Sequence, residues 1–271
     1  MQALRQVDSW EVGNAAVAVL GPQGELGSRG DRGRRYRLAS VTKLMTTLAC
    51  LIAAEEGVID LDEPAGPPGS TIRHLLAHTS GLPFEPGRPI AKPGARRIYS
   101  NAGFDTLGEA LAERAEMPFG EYLREAVFVP LGLDATELRG SPAAGGLAPL
   151  ADLIRFAHEL MAPTLVSPET FAEATTVQFP GLAGVLPGIG RYDPLDWGLG
   201  FELKDAKEPH WSGARTSPRT FGHFGGSGTF LWVDPAAGIG CACLTDREFG
   251  PWALEAWPRL SDAVLAEARG S

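Results

Sequence analysis

At 271 residues with a formal charge of −9, and with 44% hydrophobic against 21% charged residues, the chain can bury a large core and has the balance of a folded, soluble protein. That balance excludes a fibre or a disordered tail, no basic stretch interleaved with aromatics suggests a nucleic-acid partner, and no apolar run reaches membrane-spanning length. Cys50, Cys241 and Cys243 lie in apolar stretches and read as reduced, packed thiols, and the first twenty residues lack the pattern of a signal peptide, so the expected location is the cytoplasm.

Residues 14–20 (NAAVAVL) form an apolar run that ends in the turn-rich GPQGE, a pattern that predicts a hairpin. From Ser40 the period changes. Val41, Leu44, Met45, Leu48, Leu51 and Ile52 recur at three- and four-residue spacing, which predicts an amphipathic helix opened by Ser40 and closed near Gly57. Helical pieces follow at 71–77, 102–115, 118–126 and 150–161, broken by Pro and Gly. After Asp196 the pattern returns to strands at 197–203, 220–234 and 238–246, with a last helix around 258–268. Strands at both ends with helices between predict an α/β (α+β) fold: an antiparallel sheet built from 1–58 and 191–271, an inserted, mainly helical subdomain at 59–190, and a cleft where they meet.

Ser40-Val41-Thr42-Lys43 carries the first chemical signal, because residues i and i+3 of a helix share a face and the lysine amine can reach the serine hydroxyl. With 13 serines and 4 lysines, chance supplies roughly 0.2 such strings in the chain. A serine at a helix start is also a common N-cap, which is the competing structural explanation. Tyr99-Ser100-Asn101 immediately precedes the predicted helix at 102–115, and in an extended tripeptide the first and third side chains point the same way. His223-Phe224-Gly225-Gly226 lies in a predicted strand continuing through Gly228, and so many glycines weaken a strand unless a ligand or another backbone comes close. Gly226 N–H and Ser40 N–H are the candidate oxyanion donors.

In this order the three elements resemble the Ser-x-x-Lys, Tyr-x-Asn and Lys/His-x-Gly motifs of the family that holds class C β-lactamases, D,D-peptidases and related carboxylesterases. LLAHTSGLP at 75–83, YSNAGFDTLGEAL at 99–111, VPLGLDAT at 129–136 and WGLGFEL at 197–203 are similar to that family as well. The resemblance implies Ser40 as acylated nucleophile, Lys43 as its proton-accepting neighbour, Tyr99 as proton shuttle, and Asn101, His223 and Gly225 as substrate-binding residues. It also gives His78 a structural role in a turn. Tyr and Lys are both poor bases as free side chains, so either could be the general base once its pKa is shifted.

His223 stands where β-lactamases of the family commonly have lysine, and this together with the short chain favours an intracellular ester or amide over a β-lactam or a cell-wall peptide. No cofactor or metal is needed for such chemistry. His74 and His78 have the i, i+4 spacing of a zinc helix but lack the glutamate at the second position. No serine has the Gly-x-Ser-x-Gly surroundings of an α/β-hydrolase. A non-catalytic, ligand-binding descendant is the alternative from another class.

Overall fold

The computed structural model describes residues 1–270. Its main sheet has six strands, all antiparallel, in the spatial order Gly24–Arg29, Ala15–Gly21, Ile239–Thr245, Thr229–Asp234, Phe221–Gly225 and Glu202–Leu203. The two ends of the chain thus meet in one sheet through the pairing of Ala15–Gly21 with Ile239–Thr245. Alternation along these strands feeds two cores. Ala16, Ala18, Leu20, Ala242 and Leu244 pack on the side of helices Thr42–Glu55 and Leu150–Met161, whereas Val17, Val19, Cys241 and Cys243 pack on the side of the final helix, Pro251–Gly270. All three cysteines are buried and unbridged. Among the described residues no helix is long and apolar enough to cross a membrane.

Helices Ile72–Leu76, Asn101–Ala115, Phe119–Leu123 and Pro168–Ala174 form most of the layer between the sheet segments. Two small sheets there have no counterpart in the sequence reading. One joins Arg35–Arg37, Gly146–Pro149 and Glu137–Leu138; the other joins Arg97–Ile98, Gly184–Leu186 and Gly190–Tyr192. Strands of two to four residues are too short to show a period of two, so pairing in the folded chain, not local pattern, defines them.

Three boundaries differ from expectation. Only Glu202–Leu203 of the predicted strand 197–203 is a strand. The preceding residues bend where Gly200 (φ +73°) is pressed on helix Thr42–Glu55, since a Cβ there would lie 1.7 Å from Thr47 Oγ1. The strand containing His223 stops at Gly225, and residues 226–228 make a three-residue turn with Gly228 at φ +86°. The last helix begins at Pro251 and carries Pro258 inside it.

Candidate active site

Ser40 does not open the α-helix. It sits in a single 3-10 turn, Ala39–Val41, immediately before helix Thr42–Glu55, and no side-chain capping bond is made at the start of either element. Capping therefore does not account for Ser40. The residue before it, Ala39, has φ +45°, a left-handed conformation that a non-glycine residue adopts only when its surroundings impose it. The imposing contacts come from the hairpin after His223: Thr229 Oγ1 donates to Leu38 O at 2.8 Å, and Ser227 Oγ donates to Arg37 O. Gly225 is packed so closely that a Cβ would lie 2.2 Å from Leu38 O and 3.2 Å from the Ala39 Cβ. Its missing side chain makes room for the Leu38–Ala39 backbone, so only the Gly225 backbone is left to meet a substrate. Gly225→Ala is expected to destabilise the fold by about 2–3 kcal/mol and to misplace Ser40; a urea midpoint unchanged from wild type would contradict this.

Lys43 is fully buried one turn beyond Ser40. Its Nζ lies 3.3 Å from Ser40 Oγ, 2.7 Å from Asn101 Oδ1 and 3.0 Å from Ala143 O, and 4.8 Å from the centre of the Tyr99 ring. Burial pulls its pKa down from 10.5 to about 7, against weak opposition from Asp105 and Glu85. A neutral amine has two N–H bonds and one electron pair. The two carbonyl oxygens can take both N–H groups, which turns the electron pair toward Ser40.

Asn101 starts helix Asn101–Ala115, which Ser100 caps through a 2.8 Å bond from Gly103 N–H to its Oγ. Tyr99 and Asn101 therefore converge on Lys43 from the entry to this helix. Tyr99 is buried, its hydroxyl 2.8 Å from His223 Nε2, and it shares the wall of one cavity with Ser40. Burial drives the phenol pKa far up, so a standing phenolate is not available as a base.

His223 is also buried, and its Nδ1 lies 3.1 Å from Glu202 Oε2. With Nε2 on Tyr99, both ring nitrogens are engaged, which leaves the imidazole no free polar edge for a substrate. The ring nonetheless borders the cavity onto which Ser40 opens, so any contact it makes with a substrate is through its face or carbon edge. Burial, the largest influence, pushes its pKa below 6.5 despite the hydrogen bond to Glu202. Sequence reasoning missed Glu202, His210 and Trp211, which continue this network; a carboxylate inside the apolar WGLGFEL stretch was the one available signal.

Helix Ile72–Leu76 ends before His78, which has φ +57° and whose Nδ1 accepts from Ser100 N–H at 3.1 Å, while His74 Nδ1 pairs with Thr71 Oγ1 at 2.8 Å. The two histidines do not share a helical face, so the premise of a zinc helix fails. Among the described residues no group of three or more His, Cys, Asp or Glu could hold a metal ion.

The Beta-lactamase family profile matches residues 8–265 of this chain. The chain belongs to the Beta-lactamase family. A solved β-lactamase from Mycobacterium bovis, Mb2281c, is 54% identical, with a TM-score of 0.97 over 98% of this chain and 99% of that one. Simvastatin synthase of Aspergillus terreus shares the fold at 18% identity, with a TM-score of 0.79 over 99% of this chain and 94% of that chain. Among curated proteins, the D-alanyl-D-alanine-carboxypeptidase/endopeptidase AmpH of Escherichia coli K12 is 32% identical over 143 residues, 39% of this chain. That match spans only 37% of the length of AmpH.

Within this family frame, Ser40 opens onto a cavity of about 230 Å³ whose walls include Phe84, Leu186, Pro187, Phe224 and Phe249 and no acidic or basic side chain other than the neutral His223. Gly226 is exposed and borders this cavity as well as a second, more polar cleft of about 470 Å³ lined by Arg34, Arg35 and Arg37 together with Asp246 and Glu248. Among the described residues neither Ser40 N–H nor Gly226 N–H donates to a protein acceptor, so both are free for a ligand oxygen.

Proposed function

We propose that the protein is a serine hydrolase that forms an acyl-enzyme on Ser40 and acts on short-chain carboxylic esters or related amides. The observation that carries this reading is the Lys43 amine, buried, brought to a pKa of about 7 and placed 3.3 Å from Ser40 Oγ. In the first half-reaction Ser40 Oγ attacks the acyl carbon, its proton passes to the Lys43 electron pair, and the carbonyl oxygen gathers charge between Ser40 N–H and Gly226 N–H. The leaving group departs toward the polar cleft and takes a proton from solvent there. In the second, a water molecule attacks the ester carbon and gives a proton to the Tyr99 oxygen while Tyr99 passes its own to His223 Nε2, as Ser40 leaves and recovers its proton from Lys43. Asn101 fixes the lysine.

The uncharged wall of the cavity supports an ester or amide with an apolar acyl group. A β-lactam or a peptide carboxy terminus brings a carboxylate, and the neutral His223 behind Tyr99 offers it no cation. β-Lactamase or D,D-peptidase action with the same residues remains the second reading, favoured by the names of the Mycobacterium bovis and Escherichia coli relatives. Intact mass spectrometry after incubation with p-nitrophenyl acetate and butyrate, D-alanyl amides and nitrocefin decides between them. An acyl adduct on Ser40 and turnover of the esters are expected; nitrocefin turnover without ester hydrolysis would transfer the protein to the second reading. A Ser40 inert to the whole panel would fit a ligand-binding descendant. Tyr99→Phe is expected to fold normally and to lose turnover by about 100-fold, the scale of one general acid–base contribution. Wild-type rates in that variant would remove Tyr99 from the mechanism.

A further inference from the structure

We propose that Glu202 is a positioning residue of this site, acting through His223 to orient Tyr99 and to hold the charge that forms when Tyr99 relays a proton. The proposal rests on the hydrolase reading above. Glu202 is 1% exposed, on the short strand that pairs Glu202 with Gly222. Its Oε2 accepts from His223 Nδ1 and from Trp211 Nε1, each at 3.1 Å, and its Oε1 accepts from His210 Nε2 at 3.1 Å. The neighbouring amines are occupied elsewhere: Lys204 Nζ donates to Gly213 O at 2.8 Å and to Thr216, and Lys207 Nζ donates to Asp196 O at 2.8 Å and to Leu203 O. Burial opposes ionisation of Glu202, but the hydrogen bonds from His210 and His223 outweigh it and hold the carboxyl far below its ordinary range.

An ionised carboxylate can only accept, so His223 must carry its proton on Nδ1. The ring is neutral, hence Nε2 is bare, and the Tyr99 hydroxyl 2.8 Å away must donate to it. Tyr99 therefore turns its lone pairs, not its proton, toward Ser40. Because burial forbids a lasting phenolate, Tyr99 can take a proton only while passing its own to Nε2. The resulting imidazolium finds its counter-charge in Glu202. The balance closes: water loses one proton to the Tyr99 oxygen, Tyr99 loses one to His223, and His223 returns one to solvent after the acid has left.

The test is Glu202→Gln, assayed by stopped flow with p-nitrophenyl acetate. The Trp211 N–H selects the amide oxygen for the His223 side, so the ring keeps its orientation and loses only the counter-charge. The variant is expected to release its first equivalent of p-nitrophenol at the wild-type rate and then to turn over about 100-fold more slowly, with the acetyl adduct accumulating on Ser40. His210→Asn removes one of the two histidine hydrogen bonds that hold the carboxylate, and is expected to slow turnover in the same step but by less than Glu202→Gln does. Nitrogen-15 NMR of the wild-type protein should show His223 protonated on Nδ1 and bare on Nε2, whether or not either variant folds. Wild-type turnover in Glu202→Gln, equal slowing of the first equivalent and of turnover, or a proton on Nε2 would each overturn the assignment. A Ser40 that never acylates in the wild type would strike the hydrolase reading itself, and this inference with it.

Discussion

Ser40→Ala is expected to abolish covalent labelling by a fluorophosphonate and to reduce kcat/KM on p-nitrophenyl esters by about 10⁴-fold or more, the scale on which loss of a nucleophile leaves only binding and oxyanion stabilisation. The change should leave the fold intact. The Ser40 side chain is engaged with Lys43 but caps no helix, and the turn that carries it is held by the hairpin on the other side of Leu38. Ser227 is the informative control, since its Oγ also borders the cleft but is tied to the Arg37 carbonyl and has no amine beside it. Mass mapping that found the label on Ser227, or an undiminished adduct in Ser40→Ala, would show that the nucleophile had been misassigned.

What could be read from the sequence follows from how local each feature is. The Ser40–Lys43 pair is one helical turn apart and the Tyr99–Asn101 pair two residues apart, so spacing alone predicted their convergence, which Lys43 completes by touching Asn101 58 positions away. The main sheet was legible because its long strands are apolar, β-branched and aromatic runs bounded by turn residues, and strands at both ends of the chain implied that the termini meet in one antiparallel sheet. The small sheets, the carbonyl of Ala143 on Lys43 and the Glu202 network were not legible, because each depends on residues brought together only by the fold and has no period of its own. The glycines around His223 left two explanations open, a ligand or another backbone coming close; Gly222, Gly225 and Gly228 yield to the backbones at Leu231, Leu38 and Arg247, and of the four only Gly226 has open space where a side chain would be.

Lys43→Met is expected to lower the acylation rate by about 10³-fold while retaining the shape of the buried site. The wild-type pH profile provides the sign. An amine with a pKa of about 7 is mostly ammonium below that value and mostly free base above it. If the free base accepts the Ser40 proton, kcat/KM rises about tenfold per pH unit up to near pH 7 and then levels, because this parameter reports groups of the free enzyme. A profile that instead fell through pH 7 would make the ammonium the active form and Lys43 an electrostatic partner of the nucleophile. Stability supplies an independent check on the same group. Its folded pKa of about 7 lies below the 10.5 of the exposed side chain, so between these values the unfolded chain binds the extra proton and stability rises with pH. The variant lacks this contribution. The stability gap between wild type and Lys43→Met, measured by urea unfolding at a series of pH values, should therefore shift in favour of the wild type from pH 7 to pH 10, and a gap independent of pH would mean that the buried amine keeps its ordinary pKa and cannot act as the base.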